Sequence, residues 1–157
     1  MSDTLPIVSV VIPIYNGEAY VLSTVECILN QSYRALEVIL IDDQSTDQSF
    51  FLLSKIKDPR VLLLRNSVNQ GVSASRNKGL DHSTGEYLIF IDSDDLMDQT
   101  AIEKMVEASL YYKAEVVEAR RVFWFNRKGK ITSFCEYGSA DRDLVMHNFQ
   151  SDVPFPI

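Results

Sequence analysis

The sequence predicts an α/β fold, a mostly parallel sheet sandwiched by helices, and three observations carry that prediction. Short β-branched runs alternate with longer amphipathic stretches in the order strand, helix, strand, helix. The strand candidates are almost wholly apolar, as a sheet covered on both faces requires. Polar and acidic residues gather just after those runs, where the ligand crevice of an open parallel sheet lies.

Ile7–Ile12 (IVSVVI) is the first strand, ended by Pro13. Glu18–Asn30 follows as a helix, with Val21, Val25, Ile28 and Leu29 spaced for one face. Leu36–Ile41 is the second strand and runs into Asp42-Asp43; Thr46-Asp47 then caps a helix over Gln48–Lys57. Arg60–Leu64 is the third strand and Gly71–Leu80 the third helix. Tyr87–Ile91 is the fourth strand, running into Asp92-Ser93-Asp94-Asp95, and Asp98 caps a fourth helix, Gln99–Tyr112. This rhythm is Rossmann-like. After Lys113 it changes: Glu115–Phe125 and Ile131–Glu136 predict an antiparallel hairpin on the sheet's edge around Asn126-Arg127-Lys128-Gly129. The tail Asp141–Ile157 holds a short helical patch and then two prolines. No repeat, low-complexity tract or linker interrupts the chain, so residues 1–157 are expected to form a single domain.

Composition narrows the function. With 22 acidic against 15 basic residues, the net charge of −7 argues against a general nucleic-acid binder, which needs a basic face. A small phosphorylated ligand is still allowed, because a metal ion inverts the local field. Cys27 and Cys135 lie far apart without metal-ligand spacing and read as reduced thiols. No secretory signal is visible, and no apolar run approaches the ~18 residues of a membrane helix. The expectation is a soluble, cytoplasmic protein.

The chemistry collects at the strand ends. Three carboxylates within Asp92-Ser93-Asp94-Asp95 repel one another unless a cation or hydrogen-bond donors stand between them. Such a turn suits Mn²⁺ or Mg²⁺, hard cations that bridge a few carboxylates to substrate phosphates. Helix capping is the plainer use, but Asp98 already serves that purpose. Of Asp42-Asp43, one carboxylate is suited to accept an N–H from a nucleobase; turn chemistry is the equal alternative. Tyr15 is placed either to stack on a base or to pack half-buried, and Arg76 either to meet a diphosphate or to sit in solvent. His82 and His147 receive no role.

Taken in order, VSVVIPIYNGEAYV, ILNQSY, EVILIDDQSTD, NQGVSASRNKGL and GEYLIFIDSDD resemble the inverting family 2 glycosyltransferases of the A-type fold, over about Val8 to Asp98. Any one motif is weak; five in sequence are specific. The resemblance implies that Pro13, Tyr15 and Glu18 pack around the nucleobase and ribose. It implies that Asp43, with Asp42 beside it, reads the base edge, and that Arg76 approaches the nucleotide. Asp94 then lies near ribose and metal, Asp95 ligates the metal, and Asp92 opens the same D-x-D and supports it. Gln44 departs from the family's usual Gly or Asn, a change expected to alter this loop slightly.

By the same resemblance, the base that deprotonates the acceptor lies in an acceptor-binding part beyond residue 157. Glu136, Asp141, Asp143 and Asp152 sit in no recognisable base motif, so no catalytic base is nominated. The implied function is metal-dependent transfer, with inversion, of a sugar from a nucleotide diphosphate, most often a UDP-sugar, to a glycan or lipid-linked acceptor, as in bacterial surface polysaccharide synthesis. Peripheral membrane association would come through such an acceptor, and an exposed Val122–Phe125 edge would invite homo-oligomers. A donor-binding fragment without activity of its own is the alternative. A nucleotidyltransferase ranks lower, because the loop after the first strand (PIYNGEAY) has no Lys or Arg for a triphosphate; a dinucleotide oxidoreductase lacks its G-x-G-x-x-G there.

Overall fold

The computed structural model describes residues 5–119 and the strands within 121–125, 131–136 and 144–147. Its contacts divide the chain into two compact units, residues 1–100 and 101–157. In the first unit the order is β1 (Val8–Ile14), α1 (Val21–Leu29), β2 (Leu36–Asp42), α2 (Ser49–Leu53), β3 (Val61–Arg65), α3 (Val72–Asp81) and β4 (Tyr87–Phe90). The four strands form one sheet in the order β3-β2-β1-β4, with every pairing parallel. This is the α/β class expected. The chain winds outward from β1 to β3, then crosses back to lay β4 on the other side of β1. The switch point therefore falls between the carboxyl ends of β1 and β4, where ligands of open α/β sheets bind.

β1 runs through Pro13 instead of stopping before it. Ile14 and Val8 bond toward β2, with Asp43 N–H donating to Ile14 O and Val8 N–H to Ala35 O. Odd-numbered residues bond toward β4, as Ile91 N–H to Val11 O shows. Pro13 thus faces the β4 side, past the last β4 pair, Val11 with Phe90, and its missing N–H leaves no ladder bond unmade. β1 is buried along its whole length and β2 nearly so, as an apolar run covered on both faces should be. The outer strands β3 and β4 are more exposed; β4 alternates between more and less exposed residues, and β3 does so except at Leu63 and Leu64.

α3 packs over β1 and β2. Its buried positions are Ser75 and Gly79, while Val72 and Leu80 are half exposed. Gly79 is there because the helix must come close: a Cβ at this position would overlap Val11 Cγ1. Two helices are shorter than their patterns predict. α1 starts at Val21 because Gly17–Tyr20 form a turn in which Gly17 O accepts from both Tyr20 and Val21 N–H. α2 is five residues and gives way to a turn from Ser54.

The second unit holds α4 (Ala101–Tyr112), β5 (Val116–Ala119), β6 (Arg121–Phe125), β7 (Ile131–Glu136) and β8 (Leu144–His147). The expected hairpin exists as the antiparallel pair β6–β7, but as a two-stranded sheet of its own, not as an edge of the parallel sheet. The helical patch expected after Asp141 is instead the strand β8, which gives β5 its antiparallel partner. Pairing has overridden local propensity there. The side chains of Cys135, His147, Glu136, Asp141 and Asp143, those of the Val122–Phe125 edge, and all of Asp152 lie outside the described residues. Among the described residues no helix is long and apolar enough to cross a membrane.

Gly79→Ala should cost about 1–3 kcal/mol by overpacking α3 against Val11, or more if the helix cannot shift. Denaturant unfolding at pH 7 checks this; an unchanged midpoint would mean that α3 does not approach β1 as described.

Candidate active site

A cleft of about 470 Å³ opens at the switch point, lined by Pro13, Ile14, Tyr15, Asp43, Asn69, Gly71, Val72, Ser75, Arg76, Asp92, Ser93 and Asp94. It gathers residues from all the strand ends that the sequence marked as polar. The loops that follow β1 and β2 clasp each other by reciprocal bonds. Asn16 N–H donates to Ser45 Oγ (3.0 Å) and Gly17 N–H to Ser49 Oγ (2.9 Å), while Thr46 N–H donates to Asn16 Oδ1 (2.8 Å). Glu18 belongs to this clasp: its N–H donates to Asp47 Oδ2 (3.0 Å) and its Oε2 accepts from Gln48 N–H (2.9 Å). Glu18 does not line the cleft. Two left-handed residues turn these loops, Asn16 (φ 52°) and Gln44 (φ 60°). Gln44 therefore occupies the backbone angle that would explain a Gly or Asn there.

Adjacent side chains at the end of β2 point to opposite faces. Asp42 is fully buried on one of them, with Oδ2 ion-paired to Arg65 Nε at 2.9 Å. Its Oδ1 has no hydrogen-bond partner among the described residues, and Asp42 does not line the cleft. Arg65 also donates to Ser45 O (3.1 Å) and stacks 4.4 Å above the Phe50 ring. Asp43 turns the other way, into the cleft wall. Its Oδ1 accepts from Asn66 Nδ2 (2.7 Å) and Gln70 N–H (2.9 Å), and its Oδ2 from Gly71 N–H (2.7 Å). Burial pushes the Asp43 carboxyl up, but these bonds, with a further one from Ser75, outweigh it and hold the group below the ordinary aspartate range. The carboxylate also sits at the first turn of α3, where the helix dipole favours it.

On the opposite wall, Arg76 Nη2 donates to Asp92 Oδ1 at 2.7 Å, bridging α3 and the loop after β4. Its Nε is buried without a partner among the described residues, and its guanidinium lies 5.9 Å from the Phe90 ring centre. Asp94 lines the cleft; Asp95 does not. Partial desolvation, then the charges of Asp94 and Asp92, push the Asp95 carboxyl up. Arg76 offsets one carboxylate of the turn, and the negative charge crowded around Asp95 is of the kind a divalent cation would offset. Among the described residues no three acid, histidine or cysteine side chains converge on one point. Two carboxylates with phosphate oxygens and water still suit Mn²⁺ or Mg²⁺, which are seldom caged by protein alone. Asp94 and Asp95 would hold the ion; Asp92 is engaged by Arg76. Tyr15 stands half exposed at the cleft mouth, a ring free to stack. Sequence reasoning missed Asn66, Ser75 and Gly71 as the partners of Asp43, although a helix with small polar residues on its buried face was a visible signal.

Fold and cleft together define the class: an open parallel sheet that presents acidic and cationic groups to a ligand at its switch point. The chain belongs to glycosyl transferase family 2, whose model matches residues 9–145. An uncharacterized glycosyltransferase of Haemophilus influenzae is 43% identical over 108 residues, 68% of this chain and 43% of that protein. The UDP-Glc:alpha-D-GlcNAc-diphosphoundecaprenol beta-1,3-glucosyltransferase WfaP of Escherichia coli is 36% identical over 102 residues, 65% of this chain and 41% of WfaP. Among solved structures, S. aureus TarS in complex with UDP superposes with a TM-score of 0.66 at 26% identity, over 71% of this chain and 34% of that one. The fold is accordingly the A-type glycosyltransferase fold. The chain spans less than half the length of these relatives.

Because the folded-state pKa of Asp43 is depressed, its stabilisation is complete above the unfolded aspartate value of about 4 and is lost as pH falls through the folded one. Asp43→Asn should cost about 2–3 kcal/mol at pH 7, the scale of a charged hydrogen-bond cluster. Its deficit should shrink toward pH 3 in urea unfolding. A deficit independent of pH would contradict the assignment.

Proposed function

We propose that this chain is the donor-binding part of a glycosyltransferase, taking a nucleotide-diphosphate sugar, in the first instance a UDP-sugar, in the cleft between β1 and β4. The observation that carries the reading is the cleft itself: an ionised acceptor (Asp43), a cation (Arg76) and the acidic turn at Asp92 and Asp94 meet at the switch point of a family 2 chain. The UDP bound to TarS and the UDP-glucose in the name of WfaP support the choice of nucleotide.

In this reading Tyr15 stacks on the base and Asp43 accepts a base N–H. Arg76 lies beside the diphosphate, where its fork of donors suits phosphate oxygens. Asp94 and Asp95 hold Mn²⁺ or Mg²⁺, an ion that when bound offsets charge on the departing diphosphate. The acceptor hydroxyl attacks from the face opposite the leaving group, which inverts the configuration. The base that takes its proton is not assigned to a residue of this chain. The diphosphoundecaprenol-linked acceptor of WfaP supports a glycan or lipid-linked acceptor in bacterial polysaccharide synthesis.

UDP with Mn²⁺ at about 100 times the dissociation constant should stabilise the protein by roughly 2.7 kcal/mol, seen as a rise in melting temperature. Asp95→Asn should abolish that rise while raising the ligand-free midpoint at pH 7, since it removes a carboxylate that its neighbours crowd. No shift with any nucleoside diphosphate, with or without metal, would overturn the reading.

A further inference from the structure

The acceptor in the cleft is held by a second tier of residues that ends on a lysine. Asn66 is 4% exposed, and its side chain is fully engaged. Its Nδ2 donates to Asp43 Oδ1 at 2.7 Å and to the buried Ser75 Oγ at 3.2 Å, and its Oδ1 accepts from Lys78 Nζ at 2.9 Å. Lys78 Nζ is anchored a second time by Arg65 O at the end of β3, also at 2.9 Å. Ser75 and Lys78 are three apart on α3 and so lie on one face, beside the Gly79 that brings the helix down on Val11.

Chemistry gives this chain a direction. An ammonium group only donates, so it must meet the carbonyl oxygen of Asn66, and that turns the amide NH₂ toward Asp43. Were the amide reversed, Lys78 would face two donors and Asp43 would face a carbonyl oxygen. With the sense set, Asp43 Oδ1 is used twice, by Asn66 and Gln70 N–H, and Oδ2 once, by Gly71 N–H. With the Ser75 hydroxyl also turned to it, the Asp43 carboxylate is held in one orientation in the cleft wall.

We propose that Lys78, acting through Asn66, is the positioning residue that fixes the orientation of the Asp43 carboxylate in the cleft wall, and so sharpens the preference for a base with a ring N–H over one whose matching ring nitrogen is an acceptor. This rests on the donor-site reading above. Uracil meets the requirement; cytosine sets a ring acceptor against the carboxylate. The prediction concerns a residue that touches no ligand.

The test measures two things on wild type, Lys78→Met and Lys78→Arg. One is hydrogen exchange of the Gln70 and Gly71 amides without ligand; the other is affinity for UDP and for CDP in Mn²⁺. In Lys78→Met the two amides should exchange at least about fivefold faster, and the UDP-over-CDP preference should fall about five- to tenfold, the factor one hydrogen bond carries. Lys78→Arg should restore much of both, and the global melting transition should stay cooperative. Unchanged exchange in Lys78→Met would overturn the positioning role whatever the nucleotide does. Faster exchange with an unchanged preference would overturn the selectivity claim alone. Wild type that binds neither nucleotide, with exchange still faster in Lys78→Met, would sink the donor-site reading and the selectivity while supporting the positioning of Asp43.

Discussion

A buried carboxylate must be answered by donors, and in this protein that need organises the site. Asp43 lies 3% exposed at the end of β2. Left alone it would take a proton; with Asn66, Gln70 N–H and Gly71 N–H supplied, it stays charged. Those donors come from the segment between β3 and α3, so satisfying one charge fixes the path of residues 66–71 and the starting direction of α3. The helix then continues over β1 only because Gly79 offers no side chain to Val11. Arg76, one turn along from Val72, is delivered by the same helix to the cleft wall.

The twin aspartates show how period-two geometry divides labour. Asp42 and Asp43 have the same chemistry and neighbouring positions, yet one is locked to Arg65 beneath the loops and the other faces the cleft. Each has a cation in its service, Arg65 directly and Lys78 through Asn66. The loops over Asp42 are held by the clasp of Asn16, Gly17 and Glu18 with Ser45, Thr46, Asp47, Gln48 and Ser49. Asp92 has its own division: it lies in the acidic turn, but its carboxylate is spent on Arg76.

Most of the sheet could be read in the residues, because β-branched runs closed by Asp or Asn clusters signal buried parallel strands with little ambiguity. The positions of Tyr15, Asp43 and Asp94 were legible for the same reason: strand ends of such a sheet share one edge; Arg76, on α3, was legible only through the motif. What could not be read is what depends on pairing partners. Pro13 looks like a strand terminator until the ladder shows that its nitrogen faces a side where β4 has ended. Residues 141–147 have weak local preference, so the strand β8 exists only through β5. Asp42 and Glu18 fit a ligand role in the motif, and only the three-dimensional clasp and the Arg65 ion pair show their protein partners. Lys78 left no trace in the pattern, because a lysine on a helix usually marks a solvated face.

The central claim is that the crevice between β1 and β4 receives a nucleoside diphosphate. Amide chemical-shift mapping with UDP and Mg²⁺, followed by trace Mn²⁺, tests it at single residues. The account predicts shifts confined to Tyr15, Asp43, Gln70, Gly71 and Arg76, with Mn²⁺ broadening centred on Asp94 and Asp95. Shifts centred instead on the opposite edge of the sheet, around Thr84 and Gly85, or Mn²⁺ broadening away from the acidic turn, would contradict it.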